Sequence, residues 1–323
     1  MNLSSSVVET IGVTPLVELS RFTRGLAGRL FAKLEYLNPG GSKKDRVARQ
    51  IIEDAEIDGT LKPGQPVVEM TSGNTGTGLA IVCAVKDYPF IAVMSKGNSP
   101  ERVRMMSALG AEVALVDQMA GSTHGQVSGG DLELVNLEAS RIVRDRGAFR
   151  ADQFHHQGNF RAHYLHTGRE ILEQAEGKID AFCDFVGSGG TFAGCAAAFK
   201  EYDPRIQCYI VEPSGSKVLA GNSASQPNHR IQGGGYSMPD LPLLKAGQID
   251  GYLSITDDEA IDAARSLAKL EGIFAGFSSG ANVAAARQLL AGRTVVTIIN
   301  DSGMKYLSTE LWKQCRSISS GIE

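Results

Sequence analysis

Seven short apolar runs, bounded by turn residues and separated by stretches of helical periodicity, constrain this chain most. They are Leu30 to Leu34, Val67 to Met70, Phe90 to Met94, Glu112 to Val116, Ala181 to Val186, Gln207 to Val211 and Thr294 to Ile299. Runs of this length and composition read as buried strands. Their alternation with amphipathic stretches predicts α/β architecture with mainly parallel sheets, because parallel strands need crossovers that helices supply. Asp117 to Gly130, rich in Gly, Ser and Gln, breaks the pattern and is expected to be a mobile loop. A domain boundary is expected near residue 150.

At 323 residues, 42% of them hydrophobic, the chain is long enough for two modest domains with separate cores. The formal net charge of -4 comes without a long run of one sign, so the footprint of a nucleic-acid or membrane-surface binder is missing. No stretch approaches the roughly 20 apolar residues of a membrane span, and Met1 to Thr10 lacks a signal pattern, which predicts a cytoplasmic protein. Cys83, Cys183, Cys195, Cys208 and Cys315 are widely spaced and form no C-x-x-C pair, favouring reduced thiols over disulfides or zinc.

The segment Asn38-Pro39-Gly40-Gly41-Ser42-Lys43-Lys44-Asp45-Arg46 predicts a helix capped by Ser42, with Asp45 in a capping-box position. Val47, Ala48, Ile51, Ile52 and Ala55 form its inward stripe, which extends back to Lys44; Lys43 falls about 100° away. Desolvation and the positive end of the helix dipole would both disfavour a charged Lys44, leaving an amine able to attack an aldehyde. Taken alone, the lysine reads more readily as an exposed flank pairing with Asp45 or a neighbouring carboxylate, the common case for lysine.

Two further turns lead from a strand into a helix. Gly187-Ser188-Gly189-Gly190-Thr191 follows Ala181 to Val186, and its small residues at a helix N-terminus suit a phosphate. It is no dinucleotide fingerprint, since the third glycine of G-x-G-x-x-G would fall on Phe192. Thr71-Ser72-Gly73-Asn74-Thr75-Gly76 offers hydroxyls, an amide and backbone donors suited to a carboxylate. Either turn could instead serve only packing or capping. Gly276-Phe277-Ser278-Ser279-Gly280 opens another helix and places a hydroxyl able to hydrogen-bond a pyridine nitrogen. His155, His156, His163 and His166 lack flanking ligands in a metal-site spacing, so no metal is expected.

These motifs, with Thr14-Pro15-Leu16, Gln153-Phe154, Ile231-Gln232-Gly233 and Asp301 to Thr309, resemble the cysteine synthase and cystathionine β-synthase family of pyridoxal-phosphate (PLP) enzymes over nearly the whole chain. The resemblance implies a tryptophan-synthase-β-like PLP fold (fold type II): two three-layer α/β/α domains with mainly parallel sheets. Residues 40–148 would form the smaller, mobile domain, with 1–39 and 149–323 forming the larger. Lys44 would hold PLP as a Schiff base and act as the catalytic base. Gly187, Ser188, Gly189, Gly190 and Thr191 would cradle its phosphate, Asn74 would contact the ring 3′ oxygen, and Ser278 would face the pyridine nitrogen. Thr71, Ser72, Gly73, Thr75, Gln153 and Gly233 would bind the amino-acid substrate.

The activity implied is β-replacement on an O-activated L-serine by a homodimer, with O-acetyl-L-serine and sulfide giving L-cysteine and acetate. Homocysteine or an amine are alternative acceptors. A non-catalytic homologue is the alternative of a different class, opposed by the intact Lys44 and glycine turn. Lys43, in place of the small or apolar residue common there, and His155 and His156 after Gln153-Phe154 have no assigned role.

Overall fold

The computed structural model describes residues 3–71, 73–121, 127, 129–246 and 249–313. In chain order its elements are β1 (Leu16–Glu18), β2 (Arg29–Leu34), α1 (Lys44–Ile57), β3 (Val67–Met70), α2 (Asn74–Val85), β4 (Phe90–Ser95) and α3 (Pro100–Ala108). There follow β5 (Glu112–Val116), α4 (Gly129–Arg146), β6 (Phe149–Arg150), α5 (Gln157–Ala162), a π turn (His163–Thr167), α6 (Gly168–Gln174), β7 (Ala181–Phe185) and α7 (Gly190–Tyr202). The chain continues through β8 (Gln207–Pro213), β9 (Gly251–Ile255), α8 (Asp257–Glu271), α9 (Phe277–Gln288) and β10 (Thr294–Ile299).

Among the described residues the strands form two sheets. The larger runs β1-β2-β10-β7-β8-β9, parallel except for β1 against β2; the smaller runs β5-β4-β3-β6 and is parallel throughout. Alternate residues of each central strand enter opposite cores. In β10, Val295 and Ile299 face the core under α8 and α9, while Val296 and Ile298 face the one under α7. In β4, Phe90, Ala92 and Met94 pack towards α1 and α2, and Ile91 and Val93 towards α4. Burial on both faces is why these strands are unbroken apolar runs and not alternating ones. Two α/β/α sandwiches result.

The strands absent from the sequence reading are β1, β6 and β9, and all three lie at sheet edges. The segment expected as a loop from Asp117 to Gly130 is shorter at its end, because Gly129 and Gly130 open α4. Buried Asp131 in the first turn accepts the Met119 N–H at 2.7 Å and favours a helix start there. Residues 122–126 and 128 of that segment lie outside the described residues.

The predicted cap of α1 also needs correcting. Lys43, not Ser42, occupies the N-cap position and supplies no side-chain cap. Gly41 takes a positive φ of 72°, which folds the Pro39-Gly40-Gly41 turn so that Asp45 Oδ2 accepts the Gly40 N–H at 2.5 Å and not that of Ser42. Ser42 Oγ accepts the Lys44 N–H at 3.2 Å instead. A buried ion cluster then ties α1 to the larger unit: Arg46 bonds Glu35 at 2.7 Å and Glu170 at 2.6 Å, and Lys33 meets Glu170 at 2.7 Å. This fixes where α1 begins, and therefore where Lys44 points.

Cys83, Cys183, Cys195 and Cys208 are buried and free, and Cys315 lies outside the described residues. No helix among the described residues is long and apolar enough to cross a membrane.

Candidate active site

The two sheets turn the C-terminal ends of β3 and β7 towards one cavity. It is lined by Lys44 from α1, by Thr71, Gly73, Asn74 and Thr75 after β3, by Gln153 and Phe154, by Ser188 after β7, and by Gly233. This is where crossover connections in parallel sheets leave exposed turns and open helix N-termini. Ser72 lies outside the described residues. Gly187, Gly189, Gly190, Thr191 and Ser278 are not on the cavity wall: the first four flank Ser188 in the chain, and Ser278 Oγ lies near Gly233.

Lys44 is at the first position of α1, and its Nζ donates to Ser188 Oγ at 3.3 Å. The alternative in which it pairs with Asp45 does not hold, since Asp45 is turned towards Gly40. Burial is the largest cause of a lowered pKa of about 7 at Lys44, followed by the adjacent Lys43 charge; Asp184 and Glu69 oppose them. A neutral amine is therefore well populated near neutral pH. The helical wheel placed Lys43 off the inward face. In fact Lys43 is buried and paired with Asp184, because the N-cap position lies outside the helical periodicity.

At the other wall, Thr71 Oγ1 accepts the N–H groups of Gly73 at 3.0 Å and Gly76 at 2.9 Å. The turn is thus partly the helix cap that the residues alone allowed. Thr71 still has its hydroxyl proton to donate, and Asn74 and Thr75, the first two residues of α2, have N–H groups with no intrahelical acceptor. Gly73 has φ 136°, and a Cβ there would fall 2.7 Å from Arg102 Cδ, so the turn comes this close to α3 only with glycine. Thr75 Oγ1 donates to Gln153 Oε1 at 2.6 Å, holding the two predicted substrate residues together.

The glycine turn reaches the cavity through Ser188. Gly189 is left-handed with φ 88°, and α7 begins at Gly190 without a side-chain cap. A Cβ at Gly190 would overlap the Asn159 amide, and one at Gly187 would lie 2.7 Å from Gly233 O. Asn159 Nδ2 donates to Gln153 O at 2.7 Å and to Ser188 Oγ at 2.8 Å, joining the two walls. An uncapped helix N-terminus in a turn without side-chain bulk, facing a weakly basic lysine, fits the phosphate and aldehyde of pyridoxal phosphate. Beneath it, Thr191 Oγ1 lies 3.2 Å from His163 Nε2, and His163 Nδ1 lies 3.0 Å from Thr167 Oγ1. Burial holds the His163 pKa well below its usual value, so the ring is a neutral support within the fold.

Ser278, in the first turn of α9, is buried behind Gly233, and its Oγ accepts from Asn300 Nδ2 at 3.1 Å. Asn74 is held on both sides of its amide: Nδ2 donates to Asp301 Oδ2 and Oδ1 accepts from Lys305 Nζ, each at 2.7 Å. Tyr306, whose hydroxyl donates to Asp301 at 2.5 Å, and Tyr236 close the cavity. Arg102, Leu132 and Tyr236 line it without having carried any local signal; Asp301, Lys305 and Tyr306 were visible only as part of a closing motif. His155 is exposed against Asp152, and His156 caps α5 by accepting the Gly158 N–H. Neither lines the cavity.

Comparison with known proteins agrees with this geometry. A cysteine synthase of Staphylococcus aureus is 40% identical over 316 residues, 95% of this chain and 96% of that one. The crystal structure of cysteine synthase from Entamoeba histolytica superposes with a TM-score of 0.87 at 35% identity, covering 98% of this chain and 93% of that chain. An O-acetylserine dependent cystathionine β-synthase from Helicobacter pylori gives a TM-score of 0.87 at 32% identity, covering 97% of this chain and all (100%) of that one. The family model described as pyridoxal-phosphate dependent enzyme matches residues 7–301, and with its type II fold the chain belongs to that family.

Proposed function

We propose that the protein replaces the β-substituent of O-acetyl-L-serine with sulfide, giving L-cysteine and acetate. The observation that carries this reading is Lys44: an amine of lowered basicity, 3.3 Å from Ser188 of the phosphate turn and sharing one cavity with the carboxylate turn at Thr71 to Thr75. The cysteine synthases among the similar proteins support the donor and acceptor.

Pyridoxal phosphate, when bound, supplies the electron sink through which an amino acid loses its α-proton and β-substituent. The glycine turn and the start of α7 hold its phosphate, and Asn74 and Ser278 orient its ring. Thr71, Thr75 and Gln153 bind the substrate carboxylate. Lys44 Nζ removes the α-proton and later returns it, a role suited to a group whose pKa lies near the working pH. Phe154, Tyr236 and Tyr306 restrict water around that transfer. Residues 40–148 carry the carboxylate turn and close on 1–39 and 149–323 as substrate binds. We further infer a cytoplasmic homodimer, as the family resemblance implies; light scattering would test its mass.

The test is product identification with purified enzyme, O-acetyl-L-serine and either sulfide, homocysteine or a small amine. Cysteine as the dominant product is expected. Cystathionine as the dominant product would move the protein to the activity named for the Helicobacter pylori relative.

A further inference from the structure

Lys43 is 8% exposed and Asp184 1%, and the Lys43 Nζ lies 2.9 Å and 3.2 Å from the two carboxylate oxygens. Asp184 is one residue from the end of β7 and also accepts Asn282 Nδ2 at 2.9 Å. The Lys43 backbone N–H donates to Asn300 O at 2.9 Å. A buried ion pair rarely stabilises a fold more than an apolar pair of the same volume would, so packing alone is a poor account of this one. Its position suggests another role. It lies immediately before the reacting amine on one side and three residues before the phosphate turn on the other.

We propose that Lys43 is a positioning residue for Lys44: a fixed positive charge, held in place by Asp184, that keeps the neighbouring amine unprotonated and ready to react. This rests on the reading of Lys44 as the cofactor-bearing lysine. The other charged or titratable groups facing Lys44 are Glu69 from β3, Asp184 from β7 and His163 from the π turn; Arg102, Tyr236 and Tyr306 share its cavity. Burial pushes the Glu69 pKa up and holds the His163 pKa well below its usual value, so both carry less charge than an exposed carboxylate or imidazole would, and the Lys43–Asp184 pair stands beside the amine. Asp184 alone would favour a protonated Lys44, and the buried Lys43 on the adjacent residue opposes it.

The test titrates Lys44 itself in the cofactor-free protein, by competitive acylation at a series of pH values with peptide-level mass spectrometry. Borohydride reduction of the holoenzyme and peptide mapping first establish which lysine carries the cofactor. A label elsewhere than Lys44 would overturn the reading of the site. With the label on Lys44, Lys43→Met is expected to raise the Lys44 midpoint by about one pH unit. Lys43→Met/Asp184→Asn should return part of that shift, and Lys43→Arg, which keeps the charge, should titrate as the wild type. A Lys43→Met midpoint equal to the wild type, or a Lys43→Arg midpoint that moves as far as that of Lys43→Met, would overturn the proposal and leave Lys43 a packing residue.

Discussion

Asn159 Nδ2 bonds both Gln153 O, at 2.7 Å, and Ser188 Oγ, at 2.8 Å, so one amide fixes the spacing between the cavity wall at Gln153 and the glycine turn at Ser188. That amide also fills the space into which a Cβ at Gly190 would project. Gly190→Ala is therefore expected to displace Asn159 and weaken cofactor binding about 10- to 100-fold, equivalent to about 1–3 kcal/mol of lost polar contacts. Fluorescence titration of the cofactor-free protein with PLP measures this directly.

Gln153 holds Thr75 at 2.6 Å and reaches Met70 O at 3.3 Å. Gln153→Ala should raise KM for the amino-acid donor about tenfold or more while changing kcat less, as expected when a ground-state binding contact is lost. Steady-state kinetics over a donor concentration series separates the two parameters.

Glu69 is buried, and burial first, then the Asp152 charge, pushes its pKa up to about 8 from 4.5. The folded protein keeps this proton through a range in which the unfolded chain releases it, so stability falls as pH rises from 4.5 to about 8. Glu69→Gln keeps the shape without the proton. Its stability advantage should grow across that window to about 2–4 kcal/mol and then level off, as urea unfolding at several pH values would reveal.

Arg46 bonds the buried carboxylate of Glu35 and the partly buried one of Glu170, and since Lys33 still pairs with Glu170, the charge left without its cation is that of Glu35. Arg46→Met should cost about 3–5 kcal/mol by leaving buried charge uncompensated. Unfolding of the cofactor-free protein measures this without interference from ligand binding.

Much of this arrangement was legible in the sequence, for a physical reason. Central strands buried on both faces are largely apolar, so β2, β3, β4, β7, β8 and β10 were visible as runs, and the edge strand β5 was visible because Val113 to Val116 are apolar. Edge strands bury less: β9 has only Ile255 fully buried, and β1 and β6 are three and two residues long. The site motifs were legible because each is a contiguous turn that opens a helix. Arg102, Asn159 and Asp184 were not, since each acts through a contact 29 or more residues away in sequence: Arg102 with Gln232, Asn159 with Ser188, Asp184 with Lys43. Lys43 was legible as an oddity but not as a buried charge, because its partner lies 141 residues on.

The most direct test of the central claim is the visible absorption spectrum of the purified holoenzyme before and after addition of O-acetyl-L-serine with no acceptor present. A cofactor band that is replaced on adding the donor, and restored on adding sulfide with release of cysteine, is the predicted result. A cofactor band that O-acetyl-L-serine leaves unchanged would contradict the donor assignment. A protein that takes up no PLP at all would contradict the role given to Lys44.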